Sequence, residues 1–167
     1  MAACLRFTRR VWQSFVANKG HDAQCFPQLV VHQASPGAVE VSLKVEQYNT
    51  NRVGVLHGGL IMSLTDTIGS LAVASKGHFM TGVSTDITTS FIKPGGRVGD
   101  TLFAKGVITA MGKQLAYTRV DFTNANGDLV AYGSHTKYIG KSSVHANNVK
   151  FSEDGETVVE GEDKHPE

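Results

Sequence analysis

Asn51, the run His57-Gly58-Gly59 and the lone charge Asp66 are residues whose types and spacing can do chemistry. Glycines permit a sharp turn and the close approach of another molecule. Where such a pair opens a helix, the first amides have no intrahelical partner and face outward at the positive end of the helix dipole. Amides of this kind hold a phosphate, or an oxygen that turns negative during reaction. Asp66 is the single charge within residues 60–75. A carboxylate in apolar surroundings needs a partner, a hydrogen bond or a polar cavity. For Asp66 alone, a satisfied core aspartate or an interface contact is the simpler reading. Asn51 and the His-Gly-Gly start shift the balance toward chemistry. Eight residues part Gly58 from Asp66, roughly 12 Å along a helix. A carbonyl held on the Gly58 amide therefore cannot touch Asp66 of the same helix. If both act on one bond, the acid comes from another copy of the chain across a symmetric dimer.

The elements that must position these residues follow from periodicity. Residues 60–75 are apolar or small almost throughout, with Leu60, Ile61, Leu64, Ile68, Leu71 and Ala72 at spacings of three and four. That pattern predicts a helix buried on all sides. Val39, Val41, Leu43 and Val45 alternate with Glu40, Ser42, Lys44 and Glu46, a strand with one wet face. Residues 26–33, 83–92, 101–110, 115–124 and 129–139 read as five more strands. Turns at 35–37, 93–96, 111–113 and 124–127 punctuate them. One long buried helix among antiparallel strands is an α+β layer arrangement.

The flanks differ from the centre. Residues 1–25 predict an amphipathic helix, and the first 21 contain Arg6, Arg9, Arg10 and Lys19 with no acid. This fits a mitochondrial presequence; it fits a structural helix packed on the domain equally well, and the two are compatible. Mitochondrial location is the expectation, with cytoplasm as the alternative. Residues 26–140 form the expected domain. From Lys141 onward Glu153, Asp154, Glu156, Glu160, Glu162, Asp163 and Glu167 dominate, which predicts a solvated, disordered tail over 141–167.

Composition narrows the function. The 16 basic residues against 15 acidic give no basis for nucleic-acid binding. Cys4 and Cys25 have no metal or redox spacing, and the seven histidines form no ligand cluster. The central apolar run is too broken by Ser63, Thr65, Asp66, Thr67 and Ser70 to span a membrane. No Gly-x-Ser-x-Gly elbow is present.

The pattern Asn51-x-x-Gly54-x-Leu56-His57-Gly58-Gly59 with Asp66 resembles the hotdog-fold thioesterases of the phenylacetate-pathway type. Gly82-Val83-Ser84-x-Asp86, Asp121-Phe122-Thr123-Asn124 and Gly133-x-His135-Thr136-Lys137 extend the resemblance over residues 5–140. It implies a hotdog: an antiparallel sheet wrapped around one long central helix, paired into a homodimer with shared active sites and further into a homotetramer. The implied reaction hydrolyses fatty acyl-CoA to free acid and coenzyme A, with no cofactor, since coenzyme A belongs to substrate and product. Carried over residue by residue, Asp66 activates water or attacks directly, and the Gly58 amide polarises the thioester carbonyl. Asn51 and Ser84 orient water and substrate, Ser84 coming from the subunit that supplies Asp66. His57 matches the motif as a direct or supporting group. Substrate binding falls to Ser84, Asp86, Tyr138 and a wall formed by Phe91, Ile92, Lys93, Pro94, Gly95 and Gly96. Lys93, Arg97, Lys113 and Lys137 are the candidates for coenzyme A phosphates. The resemblance departs at Ala110, where a lysine is expected, and at a 93–97 turn one residue longer. Two other readings stand beside hydrolysis: a hotdog hydratase or dehydratase, and a non-catalytic acyl-CoA binder.

Overall fold

The computed structural model describes residues 1–163. Among the described residues three α-helices, α1 (Ala3–Ala17), α2 (His21–Cys25) and α3 (Gly58–Ala74), accompany the six strands of the main sheet. These are β1 (Val30–Ser35), β2 (Ala38–Lys44), β3 (Val83–Phe91), β4 (Thr101–Met111), β5 (Leu115–Thr123) and β6 (Leu129–Tyr138). All neighbouring pairs run antiparallel, in the order β1-β2-β4-β5-β6-β3. This one sheet packs around α3, as the resemblance implies.

The alternation in β2 sends Val39, Val41 and Leu43 to the helix side, where all are buried with Ile61, Leu64, Ile68 and Leu71. The close approach of α3 to the sheet requires glycine. A Cβ on Gly133 of β6 would lie 2.5 Å from Thr65 Cγ2, and one on Gly69 would lie 2.6 Å from Thr118 Oγ1. The first strand starts later than the sequence predicts. Phe26 ends α2 and is buried beside Trp12, Pro27 has no N–H for a ladder, and pairing begins at Val30.

Helix α1 is an integral layer. Phe7 and Val11 are fully buried and Trp12 nearly so, with Trp12 Nε1 donating to the Leu29 carbonyl at 3.0 Å. The disordered tail is corrected over its described part, while residues 164–167 lie outside the described residues. Lys150–Phe151 (β7) pairs with Val158–Glu160 (β8). Phe151 meets Phe7 edge-on at 5.6 Å, the Ala3 and Cys4 amides donate to the Glu156 and Gly155 carbonyls, and Arg6 pairs with Asp163 at 2.7 Å. Apolar residues spaced among the acids dock on α1, and the orphan amides of its first turn find carbonyl partners.

Candidate active site

Two clusters form at separate points of α3. The first is built on its N-terminus. His57 is the N-cap, its Nδ1 accepting the Gly59 N–H at 2.9 Å. That tautomer carries its proton on Nε2. With Gly59 satisfied by the cap, the Gly58 N–H is left without a hydrogen bond among the described residues, at the positive end of a seventeen-residue helix. The loop before it is fixed by Asn51, whose Oδ1 accepts from the Val53 and Val55 amides at 3.0 and 3.3 Å. His57 N–H and Leu56 N–H bond to the Asn49 and Gly96 carbonyls, which ties the loop to the 91–96 bend. A groove of about 260 Å³ opens here, lined by Leu56, Gly58, Ile61, Phe91, Ile92, Lys93, Pro94 and Gly95. Phe91 and Ile92 are exposed, so much of its wall is apolar. Lys93 pairs with Asp128 at 3.7 Å across solvent, and Arg97 stands exposed beyond Gly96.

The second cluster surrounds Asp66, whose side chain is 47% exposed. Beneath it on β6 lie His135 and Lys137, 0% and 3% exposed, whose Nε2 and Nζ are 3.6 and 3.7 Å from Asp66 Oδ1. Lys137 Nζ also donates to Ser70 Oγ at 2.8 Å, and Ser70 Oγ donates weakly to Asp66 Oδ1 at 3.4 Å. Ser84 Oγ sits 2.9 Å from His135 Nε2. A bulge between Ser84 and Asp86 makes this geometry. Ser84 and Ile87 pair with Lys137 and His135, so residues three apart share the helix-facing side, which regular alternation forbids.

The electrostatics of this cluster follow from burial. Burial pushes the His135 imidazole down to about 4, the Lys137 charge adds to the fall and Asp66 opposes it. Burial also lowers Lys137, again against Asp66. His135 is therefore neutral at pH 7. Its Nδ1 is buried with no hydrogen-bond partner among the described residues, and a bare acceptor there is the cheaper alternative to an orphan N–H. The proton belongs on Nε2, which donates to Ser84 and leaves the Ser84 hydroxyl hydrogen free for the site.

The residues named from sequence thus divide. Asn51, His57, Gly58, residues 91–96 and Arg97 gather at one end of α3; Asp66, Ser84 and Lys137 gather near mid-helix. Lys113, exposed on the β4–β5 turn, and Tyr138, beside Val83 and Leu115, extend the second end, as does exposed Asp86. Lys137 is a correction: it is enclosed under Asp66 and cannot reach a solvated phosphate. His135 as a partner of Asp66 and Ser84, and Ser70 as the anchor of Lys137, escaped the sequence reading. The available signal was the strand spacing His135-x-Lys137, which puts both on one face. Among the described residues no group of three His, Cys, Asp or Glu can hold a metal ion.

Comparison with known proteins agrees with this architecture. The thioesterase superfamily model matches residues 53–131. Human acyl-coenzyme A thioesterase 13 is 38% identical over 114 residues, covering 68% of this chain and 81% of the relative. The crystal structure of zebra fish thioesterase superfamily member 2 superposes with a TM-score of 0.75 at 33% identity, over 81% of this chain and 98% of that one. A Streptococcus pneumoniae thioesterase structure with coenzyme A superposes at 0.64 and 30% identity, over 68% and 90%. With α3 wrapped by a six-stranded antiparallel sheet and these relatives alongside, the chain belongs to the thioesterase superfamily, hydrolases of the hotdog fold.

Proposed function

We propose that this enzyme hydrolyses fatty acyl-CoA to free acid and coenzyme A, at a site that two copies of the chain complete together. The observation that carries this reading is the pair of half-sites on one helix: an unpartnered Gly58 amide and a half-exposed Asp66, roughly 12 Å apart. Neither can act alone on the carbonyl the other would hold. The coenzyme A in the S. pneumoniae relative and the acyl-CoA activity in the human relative's name support the substrate class.

The edge strand supplies the means of pairing. β3 ends the sheet with its outer ladder unpaired and most of its residues exposed. Ser84 and Phe91 lie roughly 23 Å apart along it. Two β3 strands pairing antiparallel about a dyad at mid-strand set Ser84 of one copy beside Phe91 of the other. That brings the Asp66–Ser84 end of one chain to the Gly58 groove of its partner, with two sites per dimer. Pairing of dimers into a tetramer is a further expectation.

In this site the thioester carbonyl accepts the Gly58 N–H, and the apolar groove along Phe91 and Ile92 receives the chain leading away from it. Asp66 takes a proton from water as the water oxygen bonds to the carbonyl carbon. Negative charge builds on the carbonyl oxygen, where the helix terminus stabilises it. Collapse breaks the C–S bond, and the departing thiolate takes the proton from Asp66. The Ser84 hydroxyl and the Asn51 amide nitrogen orient the water and the acyl group. Direct attack by Asp66, through an anhydride, is the other route. A single turnover in H2(18)O reveals it where water opens the anhydride at the aspartyl carbon, because the bridging enzyme oxygen then leaves in the product. Exposed Lys93, Arg97 and Lys113 are placed to meet phosphates near the groove mouths. The protein acts in mitochondria or cytoplasm in lipid metabolism.

The test mixes two inactive variants. Asp66→Asn removes the base and lowers kcat at least ~100-fold, and Gly58→Pro removes the amide. Each is checked for folding and subunit exchange. On mixing, half-sites recombine into dimers with one intact site, and coenzyme A release returns. A mixture that exchanges subunits yet stays inactive, or a folded Asp66→Asn enzyme with normal turnover, overturns the proposal.

A further inference from the structure

A lysine ammonium enclosed beneath a helix carries a large desolvation cost, and proteins keep one only where several groups answer it. Lys137 is 3% exposed and is the charged group on the inner face of β6, one alternation from His135. Its Nζ has two partners on α3, Ser70 Oγ at 2.8 Å and Asp66 Oδ1 at 3.7 Å. Ser70 in turn approaches the same Asp66 oxygen, one helical turn away. Everything that reaches Asp66 from below converges on Oδ1: His135 Nε2, Lys137 Nζ and Ser70 Oγ.

We infer that Lys137, anchored by Ser70, is a positioning residue that turns the Asp66 carboxylate so that Oδ2 faces the reacting water, and that its ammonium, one alternation along β6, supports His135 as the donor that aims Ser84. The inference rests on Asp66 being the base. It gives a physical reason for enclosing a lysine at a place where no substrate can reach it. A neutral side chain at 137 would remove the cation from Oδ1 and leave only His135 and Ser70 to hold the carboxylate's orientation. It would also remove a positive neighbour from His135. The groups facing this pair are Asp66 and Ser70 from α3, Ser84 and Asp86 from β3, and Thr118 from β5, whose hydroxyl donates to the His135 carbonyl. Asp66 and Asp86 favour a proton on His135, and Lys137 is the cation that opposes them.

The variants are Lys137→Met, which keeps length and removes charge, and Ser70→Ala, which keeps the charge and removes its anchor. Two readouts are taken on the full chain: coenzyme A release across pH, and the titration of the His135 ring followed by nitrogen NMR. For Lys137→Met we expect kcat to fall about tenfold or more with KM nearly unchanged, the pattern of lost transition-state alignment. The His135 titration should move up, since a positive neighbour is lost. Ser70→Ala should lower kcat less and shift His135 in the same direction. A folded Lys137→Met protein with wild-type kcat, or with His135 titrating where it does in wild type, overturns the inference. If Lys137→Met does not fold, Ser70→Ala decides: wild-type kcat and an unmoved His135 refute it. The NMR readout needs no turnover. An active Asp66→Asn enzyme would remove Asp66 as the base while the His135 titration still tests the charge.

Discussion

His135 makes stability depend on acidity in a window the structure defines. Its ring is fully buried and its proton affinity is lowered from 6.5 to about 4, by burial first and by Lys137 second, against Asp66. Between these values the unfolded chain binds a proton that the native protein refuses. Stability therefore rises with pH across this window and is lost as pH falls through it, reaching its full loss below about 4. At about 1.4 kcal/mol per pH unit, a gap of about 2.5 units is worth about 3 kcal/mol. His135→Gln keeps a hydrogen-bonding side chain near Ser84 and has nothing to titrate. Urea unfolding of both proteins at fixed protomer concentration, from pH 7 down to pH 4, isolates the effect, because all other groups cancel in the difference. Wild type should lose about 3 kcal/mol more than the variant. With an m-value of about 2 kcal/mol/M that is a midpoint displacement of about 1.5 M. Parallel curves would refute the buried neutral imidazole, and with it the reasoning that places the proton on Nε2.

Two further outcomes follow from the flanks. Residues 1–25 fused to a reporter should carry it to mitochondria; a diffuse reporter would leave α1 as a structural helix alone. Truncation after residue 148 removes Phe151 from Phe7, the carbonyl caps of α1 and Asp163 from Arg6. It should cost roughly 2–4 kcal/mol, the range for losing a large buried contact, and an unchanged thermal midpoint would show that the hairpin adds nothing.

The central helix was legible because a run apolar on every side leaves it no place except the interior. The strands were legible through alternation and glycine turns, and their ends moved by only a residue or two except at β1. The first candidate cluster was legible in part: His57-Gly58-Gly59 marks a helix start, yet no spacing reveals that His57 Nδ1 takes the Gly59 amide and frees that of Gly58. The second cluster was harder, since positions 66, 84 and 135 meet only through the crossing of α3 over β6 and a bulge at Thr85. One clue stood in the open. A lone carboxylate in a buried helix needs a cation, and Lys137 lies on the inward face of a strand two residues from His135. Counting acids misled for the tail, because Val149, Phe151 and Val158 decide where it docks.

Each half of the site is a liability in the single chain. An amide at a helix start with no acceptor, and a row of unpaired strand groups along β3, both cost stability unless something binds them. Asp66 stands half exposed above a buried lysine that only partly answers it. All of these open features lie along α3 and β3, which run beside each other from the Gly58–Phe91 end to the Asp66–Ser84 end. In the dimer we propose, one antiparallel pairing of β3 with its own copy would fill the ladder and lay the acid of one chain over the amide of the other. On that proposal the same contact that removes the exposed edge would enclose the thioester, so substrate hydrolysis and assembly would share one surface. A substitution on β3 that blocks pairing, away from Ser84, should abolish turnover without touching any group that contacts the carbonyl. A monomer with full activity would break this link between the edge and the chemistry.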